Sequence, residues 1–213
     1  MLKHSFFLLL LNFPLSCLGQ ESIVSILANM KSTESVQIAY QESREQVFFD
    51  DQWQGSGFLY ATTPATLVKQ QLEPDIEIMA AVGEQLSYLK PSTQTFHQLQ
   101  LDESNPMMAS LAAFKGLMTG DLEYLRQNFE LKLSSNEISW KLTLQAIELI
   151  HDDTENSEAP LVVIFQGKNN QAANSVEVIL PDGDRSLYSL QQPQQGKRVH
   201  EQLDSLLHSL KHF

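Results

Sequence analysis

Residues 138–146 read Ile-Ser-Trp-Lys-Leu-Thr-Leu-Gln-Ala, a stretch in which large apolar side chains alternate with polar ones. Successive side chains of a β-strand point to opposite faces of a sheet, so this period of two predicts a strand with one buried face. We expect Trp140, Leu142 and Leu144 to point into a core and Lys141 to point to solvent. A shift of one residue would expose the whole apolar set.

Short strand-like segments lie on both sides of this stretch and are separated by proline and glycine turn signals such as Pro74, Gly83 and Pro91. Short strands joined by tight turns predict a single antiparallel sheet. The predicted segments are residues 35–41, 57–61, 67–72, 76–82, 85–89, 95–101, 129–133, 161–165, 175–180 and 186–190. The fold class is therefore mainly β, with helices at the start, in the middle and at the end of the chain.

Helical spacing of apolar residues predicts helices over residues 21–31, 106–118, 121–125 and 199–213. The middle helix is unusual because it carries three methionines. Its main apolar stripe consists of Met107, Leu111, Phe114 and Met118. Spacing alone favours ordinary core packing, whereas a methionine-rich surface can also receive an irregular apolar partner.

Composition restricts the class of protein. The 213 residues carry 14 Lys and Arg against 26 Asp and Glu, a net charge of −12, and 42% of them are hydrophobic. This length suits one domain, and the acidic balance argues against nucleic acid or an anionic membrane surface as partner. One cysteine excludes an internal disulfide and a cysteine-based zinc site.

No motif predicts catalysis, a metal or a cofactor. Residues 55–57, Gly-Ser-Gly, lack the spacing of a nucleophile elbow and are interpreted as a turn at the entry to a strand. No glycine-rich phosphate loop or dinucleotide fingerprint is present in the sequence. We therefore expect a non-enzymatic protein.

Residues 1–19 have the pattern of a secretory signal, with a basic start, a short apolar run and small residues before a cut after Gly19. A lipid-modified Cys17 is the alternative, and Pro14 disfavours it because an aliphatic residue normally stands there. The predicted organisation is a signal over 1–19, a domain over 20–192, and a linker with an amphipathic helix over 193–213. We expect the exported protein to reside in the periplasm of a double-membrane bacterium.

Motifs in residues 57–91 resemble the LolA-type periplasmic lipoprotein carrier family. They are Gly57-x-Leu59-x-Ala61-x-x-Pro64, Pro74, Ile78-Met79-Ala80, Gly83-x-x-Leu86-x-Tyr88 and Pro91. Downstream, Leu117-Met118-Thr119-Gly120-Asp121-x-x-x-Leu125, Trp140-x-Leu142-x-Leu144 and Asp182-Gly183-Asp184-Arg185-Ser186 are similar to a LolA-related subgroup. The similarity extends over residues 22–190.

This resemblance implies a strongly curved antiparallel sheet, an incomplete β-barrel, closed by a helical lid over an apolar cavity. Such a protein would bind acyl chains of a lipid, glycolipid or lipoprotein cargo and carry it, as a monomer, from an inner-membrane donor to an outer-membrane acceptor. The residues expected at the cavity and lid are Leu59, Ile78, Leu86, Tyr88, Met107, Leu111, Phe114, Met118, Trp140, Leu142 and Leu144.

One position departs from the family pattern. Thr63 stands where the carrier family has an arginine before the proline, and a hydroxyl cannot make the same forked, charged contacts to a lid. The difference concerns the attachment of the lid and lipoprotein as the specific cargo. A second interpretation also stays open, in which the same fold is a lipid-sensing or protein-interaction domain with a dry core.

Overall fold

The computed structural model describes residues 21–47, 49–62, 66–100, 106–147 and 159–211, with the backbone alone for 49–51 and 106–108. The predicted signal over 1–19, Cys17 and Thr63 lie outside the described residues.

The described chain contains four α-helices and twelve strands. In chain order they are α1 (Ile23–Met30), β1 (Val36–Gln46), β2 (Phe49–Thr62), β3 (Thr66–Glu73), β4 (Glu77–Val82), β5 (Gln85–Lys90), β6 (Thr95–Gln100), α2 (Pro106–Thr119), α3 (Leu122–Asn128), β7 (Phe129–Ser135), β8 (Ser139–Ala146), β9 (Val162–Lys168), β10 (Ala173–Ile179), β11 (Arg185–Leu190), β12 (Gln194–Gln195) and α4 (Lys197–Lys211).

The strands form one antiparallel sheet in the order β6-β5-β4-β3-β2-β1-β11-β10-β9-β8-β7, with the two-residue β12 paired to β1. The sheet is curved and not closed, and its edges among the described strands are β6 and β7. Helices α2 and α3 lie between these two strands in the chain, so the connection from one edge to the other crosses a face of the sheet. This arrangement confirms the predicted fold class.

The alternation in β8 predicted its orientation correctly. Trp140 is 2% exposed and Leu142 and Leu144 are fully buried, whereas Lys141 is exposed. The indole Nε1 of Trp140 donates a hydrogen bond to the carbonyl oxygen of Lys168 at 2.9 Å, which satisfies the one polar atom of this side chain. Ile138 is exposed because the strand begins only at Ser139.

A large core lies between α1, α2, α3 and the half of the sheet formed by β7 to β10. We call this face of the sheet the inner face. Helix α2 packs into this core through the side that carries Ala113, Gly116 and Leu117, which are all buried. A Cβ added to Gly116 would lie 2.6 Å from Cδ2 of Leu125, so the glycine allows α2 and α3 to approach closely.

A second core lies on the opposite face, which we call the outer face. The C-terminal helix α4 packs Val199, Leu203 and Leu210 against β2 to β5, as its predicted apolar stripe requires. The expectation that Ile78 shares the face of Leu59 is wrong, because Ile78 is buried in this outer core under α4. Both faces of β4 are covered, so its apolar residues do not alternate with polar ones and its orientation was not evident from spacing.

Strand β2 is longer than predicted, and it includes the Gly55-Ser56-Gly57 segment that was interpreted as a turn. The residues before this segment are mostly polar and pair with the end of β1. A Cβ at Gly57 would collide with the backbone oxygen of Gln70 on β3, so a side chain cannot be placed there.

Candidate functional site

A cavity of about 360 Å³ lies between the inner face and α2. This volume is at the lower end of the range of about 300–1,000 Å³ that is usual for small-molecule sites. Its apolar wall consists of Leu59, Leu67, Met79, Ala81, Leu111, Phe114, Val178 and Leu180, and its polar wall of Glu42, Arg44, Glu45, Gln46, Lys69, Glu77, Ser110, Asp184, Arg185, Ser186 and Tyr188.

The large apolar residues of β2 to β4 and α2 that line this cavity are only half-buried. They are Leu59, Leu67, Met79, Leu111 and Phe114. By contrast, the leucines of the neighbouring core, such as Leu117 and Leu142, are fully buried. These apolar side chains therefore keep solvent-accessible surface inside the cavity. An apolar ligand that bound against them would be removed from water.

Helix α2 has two distinct sides. Ala113, Gly116 and Leu117 pack into the inner core, whereas Ser110, Leu111 and Phe114 face the cavity. Phe114 also meets Phe165 edge to face, with ring centroids 5.2 Å apart, and so lies at the boundary between cavity and core. Leu111 and Phe114 therefore cover one side of the cavity without filling it.

A cluster of charged side chains forms part of the polar wall. We call Glu42, Arg44 and Lys69 the charged cluster. The Glu42 carboxylate has no exposed side-chain surface, and it accepts hydrogen bonds from Arg44 Nε and Lys69 Nζ, each at 2.6 Å. The Tyr188 hydroxyl donates to the same carboxylate at 3.0 Å. Two cations and one anion leave this cluster with a net positive charge.

Two glycines on β2 allow the Lys69 side chain to reach Glu42. Lys69 lies on β3, two strands away from Glu42 on β1. The residues of β2 that pair with Tyr40 and Glu42 are Gly57 and Gly55, so neither position places a side chain between β1 and β3. The Lys69 ammonium can therefore cross β2 to reach the carboxylate, and it lies 5.3 Å from the ring centroid of Tyr40.

Burial and the neighbouring charges shift the pKa values of Glu42 and Lys69 in opposite directions. Burial would raise the pKa of Glu42, but Lys69 and Arg44 outweigh burial and hold this pKa below its usual range. Burial lowers the pKa of the Lys69 ammonium, and Glu42 only partly offsets that effect. Burial, together with the Glu42 charge, raises the pKa of the Tyr188 phenol well above its usual value. The carboxylate is thus ionised at neutral pH and stabilised by its two cations.

Arg44 is held in place on two sides. Its Nε donates to Glu42, and its guanidinium carbon lies 4.0 Å from the ring centroid of Trp53 on β2. This stacking is a cation–π contact. The Arg44 side chain is 40% exposed, and within the described part of the chain its two Nη groups contact no acceptor. Among the described residues, these four N–H donors have no protein partner.

The strand pairing brings part of the polar wall together. Glu42 and Arg44 of β1 pair with Tyr188 and Ser186 of β11, so their side chains share one region of the inner face. Lys69 pairs with Leu59 of β2 and Met79 of β4, so it lies where the apolar wall meets the charged cluster. The cavity thus combines an apolar space with a polar region that contains the charged cluster.

The residues predicted for the site fall into several groups. Leu59, Leu111 and Phe114 line the cavity. Trp140, Leu142 and Leu144 are in the packed inner core, and Ile78 is on the outer face. Leu86 and Tyr88 are on the inner face, where Tyr88 stacks on His97 with ring centroids 6.4 Å apart. Met118 is half-buried on α2, and the side chain of Met107 lies outside the described atoms.

The charged cluster was not predicted. Glu42 and Arg44 are two residues apart, which places them on the same face of a strand, and this spacing is visible in the sequence. Lys69 joins them only through the sheet order β3-β2-β1. The local pattern contains no signal for that contact.

Within the described residues, no helix has the length and apolar character needed to cross a membrane. In the same part of the chain, no three His, Cys, Asp or Glu side chains lie close enough together to hold a metal ion.

No protein-family model matches the chain, and no curated protein matches it significantly. Solved structures do match. A LolA superfamily protein from Nitrosomonas europaea is 9% identical with a TM-score of 0.43, over 82% of this chain and 92% of that one. A putative outer membrane lipoprotein-sorting protein domain from Vibrio parahaemolyticus is 8% identical with a TM-score of 0.42, over 82% and 91%. The lipoprotein LppX of Mycobacterium tuberculosis is 9% identical with a TM-score of 0.44, over 83% and 95%.

One of these structures is named as a LolA superfamily protein, the family that the motifs of residues 57–91 resemble.

Proposed function

We propose that this protein binds an acyl chain in the cavity under α2 and acts as a non-enzymatic carrier of a lipid or lipidated cargo. The observation that carries the proposal is the half-buried apolar wall formed by Leu59, Leu67, Met79, Leu111 and Phe114. A packed core would bury these side chains completely, as it buries Leu117 on the opposite side of the same helix.

Desolvation supplies the driving force for this binding. Each methylene removed from water contributes about 0.8 kcal/mol, so about a dozen methylenes would contribute nearly 10 kcal/mol before the costs of association. The cavity volume of about 360 Å³ suits a single chain or part of one. The proposed stoichiometry is therefore one acyl chain per protein.

The proposed cellular role follows from the predicted signal and the sequence resemblance. The carrier would take its cargo from an inner-membrane donor, shield the acyl chain in the periplasm and deliver it toward the outer membrane. Release requires a state with lower affinity for the chain, such as one in which α2 moves away from the sheet or an acceptor competes for the chain.

Mass spectrometry of an organic extract of the purified, exported protein tests this proposal. We expect co-purified acyl lipid and, after lipid removal, saturable binding of a fluorescent fatty acid at about one equivalent per chain. An extract without lipid, together with no saturable fluorescence change, would contradict the proposal and favour the alternative of a dry interaction domain.

A further inference from the structure

An acyl chain needs only an apolar surface, and the charged cluster is not explained by that need. Burying Glu42 and Lys69 in the wall of an apolar cavity costs desolvation free energy, and ionic contacts recover this cost only in part. An apolar pair at these positions would bind a hydrocarbon chain at least as well. The cluster therefore indicates that a polar part of the ligand has to be recognised.

The excess charge of the cluster is positive. Glu42 neutralises one of the cations Arg44 and Lys69, and the nearby Glu77 carboxylate is paired with Lys90 at 2.9 Å. The other charged residues of the wall are the acids Glu45 and Asp184 and the cation Arg185, so the positive excess is confined to the cluster itself. Salt screens the field of an exposed charge beyond about 10 Å. The sign of the charges nearest to the bound ligand therefore decides which ligand group is attracted.

The donors of Arg44 are arranged for a planar or tetrahedral anion. Its Nε contact to Glu42 and its position over the Trp53 ring restrain the guanidinium, and within the described part of the chain its Nη groups have no acceptor. Guanidinium groups bind carboxylate and phosphate through two parallel hydrogen bonds, and a fixed guanidinium loses less conformational entropy when it does so.

We propose that Arg44, supported by Lys69, binds the anionic head group of an acyl lipid, a carboxylate or a phosphate, while the chain occupies the apolar space under α2. This inference rests on the proposed function and adds the class of ligand: single-chain anionic lipids over neutral ones. In this arrangement Glu42 is a positioning residue, because it orients both cations without contacting the ligand.

Displacement titrations test the inference. A bound fluorescent fatty acid is displaced from the full, delipidated chain by a long-chain fatty acid, by the alkyl phosphate and by the fatty alcohol of the same chain length. Wild type should bind both anionic ligands at least tenfold more tightly than the alcohol. Arg44→Gln should lose this preference, with a tenfold to hundredfold loss for the anions and little change for the alcohol.

Arg198→Gln is the matched control, since it removes the same charge from an exposed residue of α4 on the outer face. It should behave as wild type does. Arg44→Lys keeps the charge but not the forked geometry, and should retain only part of the preference. Thermal melting of each variant verifies that it is folded.

The outcomes separate the two proposals. If wild type binds acid, phosphate and alcohol equally, the head-group inference is overturned and the carrier proposal stands. If none of the three binds, the carrier proposal itself fails. Inorganic phosphate or acetate that competes as strongly as the acyl ligands would show a free-anion site and overturn the lipid interpretation.

Discussion

Leu111→Asp should abolish acyl-chain binding while the protein stays folded. Leu111 is half-buried on the cavity side of α2, so a carboxylate there would face the space that the chain occupies. An unpaired charge against an apolar ligand costs several kcal/mol, which corresponds to a loss of affinity of about a hundredfold or more. The melting temperature should fall by only a few degrees, because the empty cavity allows water to reach the new side chain. Fluorescent fatty-acid titration and thermal melting measure the two quantities.

Leu117→Asp is the matched control, because it makes the same substitution six residues later on the same helix. Leu117 is fully buried in the inner core, where a charge has neither water nor a partner, so this variant should not fold stably. Leu111→Trp adds a test without charge: it should fill the cavity, weaken binding and leave the fold intact. The account is wrong if Leu111→Asp unfolds the protein as Leu117→Asp does, or if it leaves binding unaltered.

Glu42→Ala should produce the largest loss of stability among substitutions of charged residues in the cavity wall. Glu42 is 2% exposed and accepts hydrogen bonds from Arg44, Lys69 and Tyr188. Its removal leaves the largely buried Lys69 ammonium without a counter-charge, which costs about 3–5 kcal/mol. For a domain of this size the melting temperature should fall by about 10 °C or more. Glu45→Ala, which removes an exposed carboxylate from the same strand, should change stability by no more than about 0.5 kcal/mol.

The pH dependence of stability gives a second measure of the same cluster. The pKa of Glu42 is lowered in the folded state, so the folded protein binds its proton less readily than the unfolded chain does. The stabilisation from Glu42 is therefore complete above its ordinary pKa of 4.5 and is lost as the pH falls below that value through the lower folded pKa. Glu42→Gln should be less stable than wild type at neutral pH, and the difference should shrink in acid. A constant difference across this range would contradict the assigned role.

Strands with one solvent-exposed face could be predicted from the sequence, and strands covered on both faces could not. In β8, Lys141 faces water and Trp140 faces the core, so the alternation is visible. In β4, α4 covers Ile78 on the outer face, and Met79 faces the cavity on the inner face. Both positions are apolar, so nothing in the local sequence distinguishes the face that lines the cavity from the face that α4 covers.

The apolar part of the site could be predicted from the sequence, and the charged part could not. Helical spacing indicated Leu111 and Phe114 as members of one stripe, and both line the cavity. The contact between Lys69 and Glu42 depends on the pairing of three strands and on glycines in the middle one. Long-range pairing of this kind is a property of the sheet order, which the spacing of residues along one strand does not contain.

Photochemical crosslinking locates the acyl chain on the protein and so shows whether the chain lies under α2. A fatty acid with a photoreactive group in its chain is bound to the wild-type protein and irradiated, and the labelled peptides are identified by mass spectrometry. We expect saturable labelling at Leu111 and Phe114 of α2 and at Met79 of β4, which line the same cavity. Labelling at Leu206 and Leu207 of α4, which pack against the outer core, or no saturable labelling at all, would contradict it.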